Sequence, residues 1–208
     1  VAAVRMRRAG WNGARRLPQT PRDDDGWEAG CLGIHESLTL WLDIPLGSRR
    51  KAEKVIPSLL DIQLPFPVED CLFRIVVFRR TAPKALSALI CAARRDAIRA
   101  CLERYRAQGL DPAFLDHEGL ALWTQSLLER PPEAHQARAL LLLEPDRTAL
   151  VTGCGTRFGA AYSLGLPADD EGAVNRLRLL AHTGLRADAA THWLFSGSRA
   201  GDPDLVGR

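Results

Sequence analysis

Leu38, Leu40, Leu42 and Ile44 alternate with Thr39, Trp41 and Asp43, the period of two expected of a strand covered on one face. Pro45 and Gly47 stop that strand. The period then changes to that of a helix, with Ala52, Val55, Ile56, Leu59, Leu60 and Ile62 on one side and Ser48 placed to cap the first turn through its hydroxyl. Pro57 lacks an N–H and is expected to kink this helix or displace its start. Two strands, Cys71 to Phe78 and Ala85 to Cys91, follow across the turn-prone Thr81-Ala82-Pro83-Lys84. Ala92 to Gln108 is the clearest helix: Ala97, Ile98, Cys101, Leu102 and Tyr105 share a face, and Gly109 ends it.

Before this region, Val1 to Arg7 reads as a strand whose beginning lies outside the chain. A turn at Gly10 or Gly13 and a polar loop from Pro18 to Gly26 come next. After Gly109, Pro112 to Leu115 reads as a short strand and Asp116 stands where a helix cap belongs, ahead of Leu120, Leu122, Trp123, Leu127 and Leu128. The remainder reads as strands over Ala137 to Leu143, Thr148 to Thr152 and Arg157 to Leu164, a helix from Glu171 to His182, and a last strand from Thr191 to Phe195. Three hairpin-linked strands, a helix and a strand is the order of a ribonuclease-H-like half-domain.

Composition narrows the class. The 208 residues are 46% hydrophobic and 25% charged, enough to bury a good core and unlike a disordered segment. The net charge of +3 is spread along the chain without a basic block, which argues against nucleic acid as a partner. Cys31, Cys71, Cys91, Cys101 and Cys154 are scattered and form no C-x-x-C pair, so they predict reduced thiols and neither a zinc site nor a disulfide framework. No apolar run, Ala139 to Leu143 among them, approaches the ~20 residues of a membrane-spanning helix.

Two segments carry a resemblance. Lys51 to Asp70, KAEKVIPSLLDIQLPFPVED, and Leu89 to Leu122, LICAARRDAIRACLERYRAQGLDPAFLDHEGLAL, resemble in order and spacing the actin-like cytoplasmic scaffold proteins of type IV pilus and type II secretion machines, the PilM and GspL type. The resemblance implies an α/β, actin-like, ribonuclease-H-like fold of two lobes with mixed sheets: a first lobe over residues 1–136, with an αβ subdomain inserted at about 37–112, and a short second lobe over 137–208. It further implies a scaffold, cytoplasmic and peripheral to or tethered at the bacterial inner membrane, that holds an assembly ATPase and the cytoplasmic tail of a membrane protein. Self-association as a homodimer is left open.

Actin-like proteins that bind nucleotide hold it between glycine-bearing hairpins and a glycine-rich turn, because only glycine lets backbone N–H groups approach phosphate closely. In this family resemblance, the matching hairpin is Leu143-Glu144-Pro145-Asp146-Arg147-Thr148, which has no glycine, and the matching turn is Phe195-Ser196-Gly197-Ser198, which has one. Asp146, Arg147, Thr148 and Gly197 are therefore the candidate residues for ATP and magnesium. The missing glycine favours a degenerate, non-catalytic member without cofactor, the alternative being an ATPase or kinase on the same fold.

Other constellations are read more plainly. Gly153-Cys154-Gly155-Thr156-Arg157-Phe158-Gly159 joins two strands and opens no helix, so it predicts a hairpin turn and not a phosphate loop. Asp116, His117 and Glu118 are consecutive and cannot converge on one atom, and neither His182 nor His192 has a carboxylate at metal-ligand spacing. The arginine pairs at 49–50, 79–80 and 94–95 read as a solvated face, with acidic lipid or an acidic partner as the alternative. Trp41, Trp123 and Trp193 are expected in the core. Trp11 and Trp27, each beside glycine in loop-like sequence, are candidate contact anchors for a partner. The rigid, apolar Leu64-Pro65-Phe66-Pro67 is expected either to pack against the lobe or to line a groove for a partner peptide.

Overall fold

The computed structural model describes residues 4–6, 27–165 and 191–201. The expected turn at Gly10 or Gly13, the loop from Pro18 to Gly26, Trp11 and the helix from Glu171 to His182 lie outside them. In chain order the elements begin with β1 (Val4–Met6), β2 (Trp27–Leu32), β3 (Ser37–Ile44), α1 (Arg49–Gln63), β4 (Cys71–Ala82), β5 (Ala85–Arg94) and α2 (Arg95–Ala107). They continue with β6 (Phe114–His117), α3 (Glu118–Glu129), β7 (Ala137–Leu143), β8 (Thr148–Cys154), β9 (Arg157–Ser163) and β10 (Thr191–Ser196). The chain divides into two compact units, one being Glu36–Gly109 and the other Val1–His35 with Leu110–Arg208.

In the inserted unit, β3, β5 and β4 form an antiparallel sheet in that order, so that β5 is central. The apolar period of α1 places Ala52, Ile56 and Leu60 on this sheet at 0% exposure, against Leu42, Ile44, Leu86, Ala88 and Ile90. Helix α1 runs through Pro57 without stopping. Ser48 takes the N-cap position, but its side chain makes no capping bond. Ala92 and Ala93, expected in a helix, extend β5 instead: they pair with β3 and β4 and are 2% and 5% exposed. Alanine is a good helix former, and burial in a ladder overrides that local preference.

The other unit holds two sheets. In one, β2 pairs antiparallel with β1 and parallel with β6. In the other the order is β10-β7-β8-β9, with β7, β8 and β9 an antiparallel meander and β10 parallel to β7. A fourth strand returning beside the first of three hairpin strands is the ribonuclease-H-like arrangement that the order of elements predicts. Nearly all of β7 and β8 is buried, which explains why Ala139 to Leu143 of β7 reads as a continuous apolar run and does not alternate.

Helix α3 packs against strands of both sheets. Its Trp123, 3% exposed, meets Phe158 edge to face with ring centroids 6.3 Å apart. A Cβ on Gly153 would lie 2.3 Å from the Trp123 ring, so this glycine is a seat for tryptophan. The expected strand at Pro112 is shifted, β6 beginning at Phe114, and the residue that caps α3 is His117 and not Asp116. Trp193 was expected in the core and is 42% exposed.

Candidate functional site

Helix α3 begins where β6 ends, and the backbone N–H groups of its first turn need acceptors. His117 Nδ1 accepts from Gly119 N at 3.0 Å and Leu120 N at 3.3 Å. The acceptor role requires an unprotonated Nδ1. Burial enforces it, holding the His117 pKa down to about 4 because a charged imidazole there would lose its water. The next residue, Glu118, points toward the end of β2. Its Oε2 accepts Ile34 N–H at 3.0 Å and Arg147 Nη1 at 3.1 Å, while Oε1 accepts Arg147 Nη2 at 2.8 Å.

Arg147 is therefore held in a two-pronged pair, its side chain 24% exposed and that of Glu118 19%. Nη1 also lies 2.8 Å from His35 Nδ1. A guanidinium has only donors, so that ring nitrogen is the acceptor. The cluster joins three stretches that are 29 and 112 residues apart in sequence: the first turn of α3, the β7–β8 hairpin and the chain leaving β2.

The same hairpin meets the turn after β10. Gly197 has φ +101°, and a Cβ there would lie 2.3 Å from the Leu143 carbonyl oxygen. Arg199 N donates to Leu143 O at 3.1 Å and Ser198 Oγ to Glu144 Oε2 at 2.6 Å. Of the four candidate nucleotide residues, Asp146 stands exposed at the hairpin tip, Arg147 is paired with Glu118, Thr148 is fully buried, and Gly197 rests on Leu143. The hairpin and the glycine turn are thus brought together, but the contacts join protein to protein.

A second polar feature went unread in the sequence. Arg138, in β7, is 1% exposed and has no acidic partner among the described residues. Its Nη1 donates to Ser126 O at 2.9 Å and to Ser126 Oγ at 3.2 Å, and its Nη2 to Arg130 O at 2.6 Å. These carbonyls belong to the C-terminal end of α3, where the helix dipole is negative, and that of Ser126 also accepts the Arg130 N–H at 3.1 Å. The guanidinium closes that end, and burial lowers its pKa from the ordinary arginine value. Beside it, a cleft of about 330 Å³ is lined by Leu122, Gln125 and Glu129 of α3 and by Trp193 and Phe195 of β10.

The candidate partner contacts are dispersed. Leu64 is buried and Phe66 packs against the core of the inserted unit, which leaves Pro65 and Pro67 exposed. Trp27 opens β2 opposite Met6 and does not sit in a loop. The arginine pairs are engaged locally: Arg49 lies 5.8 Å from the Phe78 ring centroid and Arg79 5.1 Å from that of Trp41. Arg94 pairs with Asp96, and Arg95 donates to Glu69 O. All five cysteines are free thiols, and Cys154 is exposed. Among the described residues no three His, Cys, Asp or Glu side chains are grouped as metal ligands.

No family model and no curated protein matches this chain. Solved structures do. A chain of a PilM-PilN type IV pilus biogenesis complex is 18% identical with a TM-score of 0.56, over 86% of this chain and 66% of that one. The cytoplasmic domain of EpsL, an inner membrane component of the type II secretion system of Vibrio cholerae, is 21% identical with a TM-score of 0.52, over 81% of this chain and 61% of that one. This chain thus spans 66% and 61% of the lengths of those two chains. It has their α/β fold, the actin-like, ribonuclease-H-like fold that the resemblance in its sequence implied.

Proposed function

We propose that this chain is a non-catalytic scaffold at the cytoplasmic face of an inner-membrane pilus or secretion platform, where it holds an assembly ATPase and the tail of a membrane protein. The fold shared with the PilM-PilN complex and with EpsL supports the setting. No helix among the described residues is long and apolar enough to cross a membrane. The single observation that favours a scaffold over a nucleotide enzyme is the commitment of Arg147 to Glu118, in a hairpin that has Pro145 where a phosphate loop needs glycine.

The test is calorimetry with two titrants. Addition of Mg-ATP is expected to give no heat up to about millimolar nucleotide, whereas the cytoplasmic tail of a pilus or secretion membrane protein from the same cell is expected to bind saturably. Micromolar nucleotide binding that disappears in Arg147→Ala would replace this reading with the ATPase or kinase alternative.

A further inference from the structure

One end of the inserted unit is a basic tip built from two loops. Helix α1 opens on Arg49, Arg50 and Lys51, all exposed, with no acidic residue in its first turn and no side-chain bond from its N-cap Ser48. Acidic residues normally occupy that turn because the helix dipole is positive there. Here three cations add to it. The end of β4 supplies Arg80 and the β4–β5 turn Lys84, both exposed.

The two loops are fastened together. Arg80 Nη1 donates to Pro83 O at 2.8 Å and Nη2 to Gly47 O at 3.4 Å. A Cβ on Gly47 would lie 3.0 Å from Pro83 O and 3.2 Å from Lys84 Cα, so a bare Cα lets the loops close. Pro45, Ala82 and Pro83 stand exposed among the cations, and Leu46 is half-buried. The nearest acidic residues in sequence are Asp43 and Glu53, and Arg50, Lys51 and Lys84 form no ion pair among the described residues. The unit carries thirteen Lys and Arg against eight Asp and Glu, so the excess positive charge of the chain sits in it.

We infer that this tip rests on a surface of anionic lipid headgroups. Successive residues of a helix point about 100° apart, so Arg49, Arg50 and Lys51 cannot converge on one phosphate, but all three can face a charged plane. Exposed proline and alanine between them suit the interface between headgroups and acyl chains, where a folded acidic peptide would instead need a groove. Each cation near such a surface strengthens binding by about fivefold, and the attraction decays within a Debye length. This docking is independent of whether the chain also holds a membrane-protein tail.

The test is flotation of the purified chain with vesicles of phosphatidylcholine, with and without phosphatidylglycerol, at low and high salt. Binding is expected only to the anionic vesicles and only at low salt. The pair Lys51→Gln with Lys84→Gln removes exposed, unpaired charges and is expected to weaken binding by about 25-fold. The pair Arg74→Gln with Arg99→Gln removes as much charge from mid-β4 and α2 and is expected to leave binding near the wild-type value. The inference is overturned by absence of binding to anionic vesicles, by equal loss in the two pairs, which would mean net charge alone, or by tighter binding of soluble polyglutamate than of the vesicles.

Discussion

His117 couples the stability of the α3 region to pH, and the sign and size of the effect follow from its geometry. Its Nδ1 lone pair accepts two backbone N–H groups, and its Nε2 is buried with no partner among the described residues. Protonation would turn the acceptor into a donor facing other donors, at the positive end of a helix. Burial holds the folded-state pKa down to about 4, against 6.5 in the unfolded chain. A depressed pKa of this kind leaves stability intact above pH 6.5 and removes it progressively as the pH falls from 6.5 toward 4, because across that window the unfolded chain binds the proton and the folded chain does not. The complete loss is about 3 kcal/mol, and by pH 5 about 2 kcal/mol of it is gone.

Urea unfolding at pH 7.5 and pH 5, for wild type and His117→Asn, measures this. Asparagine is a good N-cap and does not titrate, so the variant keeps a cap and lacks the proton. The other histidines and the carboxylates are common to both proteins. The wild type is therefore expected to lose about 2 kcal/mol more than His117→Asn between the two pH values. Equal losses would refute the reasoning, since the imidazole would then not be held neutral by the fold.

Three further substitutions test the other polar joints. Arg138→Met keeps most of the volume but strands the carbonyl of Arg130 and leaves that of Ser126 with the Arg130 N–H alone; chemical denaturation is expected to show a loss of about 2 kcal/mol, and an unchanged midpoint would mean that the Arg130 carbonyl is not a burden. Gly197→Ala places a Cβ 2.3 Å from Leu143 O at a φ of +101°, and thermal unfolding is expected to register a loss of about 2 kcal/mol or more. Glu118→Gln removes the charge that holds Arg147 and is expected to destabilise by about 2 kcal/mol, with Mg-ATP titrated into the variant reporting whether a freed Arg147 acquires affinity for phosphate.

Where one face of an element is buried, the sequence carries its own solution. The helical period of Ala52, Ile56 and Leu60 is visible in the chain and is core, and so is the apolar run from Ala139 to Leu143 in β7, which is covered on both faces. Strand β2 was not legible: Trp27-Glu28-Ala29-Gly30-Cys31-Leu32 has no alternation, and its reason for being a strand is a parallel ladder with β6, whose residues lie more than eighty positions away. The helix cap was displaced by one residue because Asp116 is the commoner capping type, yet His117 is the one whose ring is buried over the first turn. Arg138 was legible only as an oddity. An arginine in an apolar strand marks an anomaly, but which carbonyls it meets depends on where α3 ends.

The β7–β8 hairpin shows most clearly why matching a motif differs from reading a site. Asp146, Arg147, Thr148 and Gly197 stand in an order that could serve a nucleotide, and the fold does bring the hairpin and the glycine turn together. Each group capable of meeting a phosphate is already satisfied or withdrawn: Arg147 by Glu118, the Gly197 turn by Leu143 and Glu144, Thr148 by burial. A phosphate entering here would have to take Arg147 from Glu118 and leave that carboxylate, among the described residues, with the Ile34 N–H as its donor. Exposing or stranding a partly buried charge costs about 2 kcal/mol, which weakens any such ligand by about thirtyfold before it makes a contact of its own. The hairpin is better suited to fastening three distant stretches of the unit to one another.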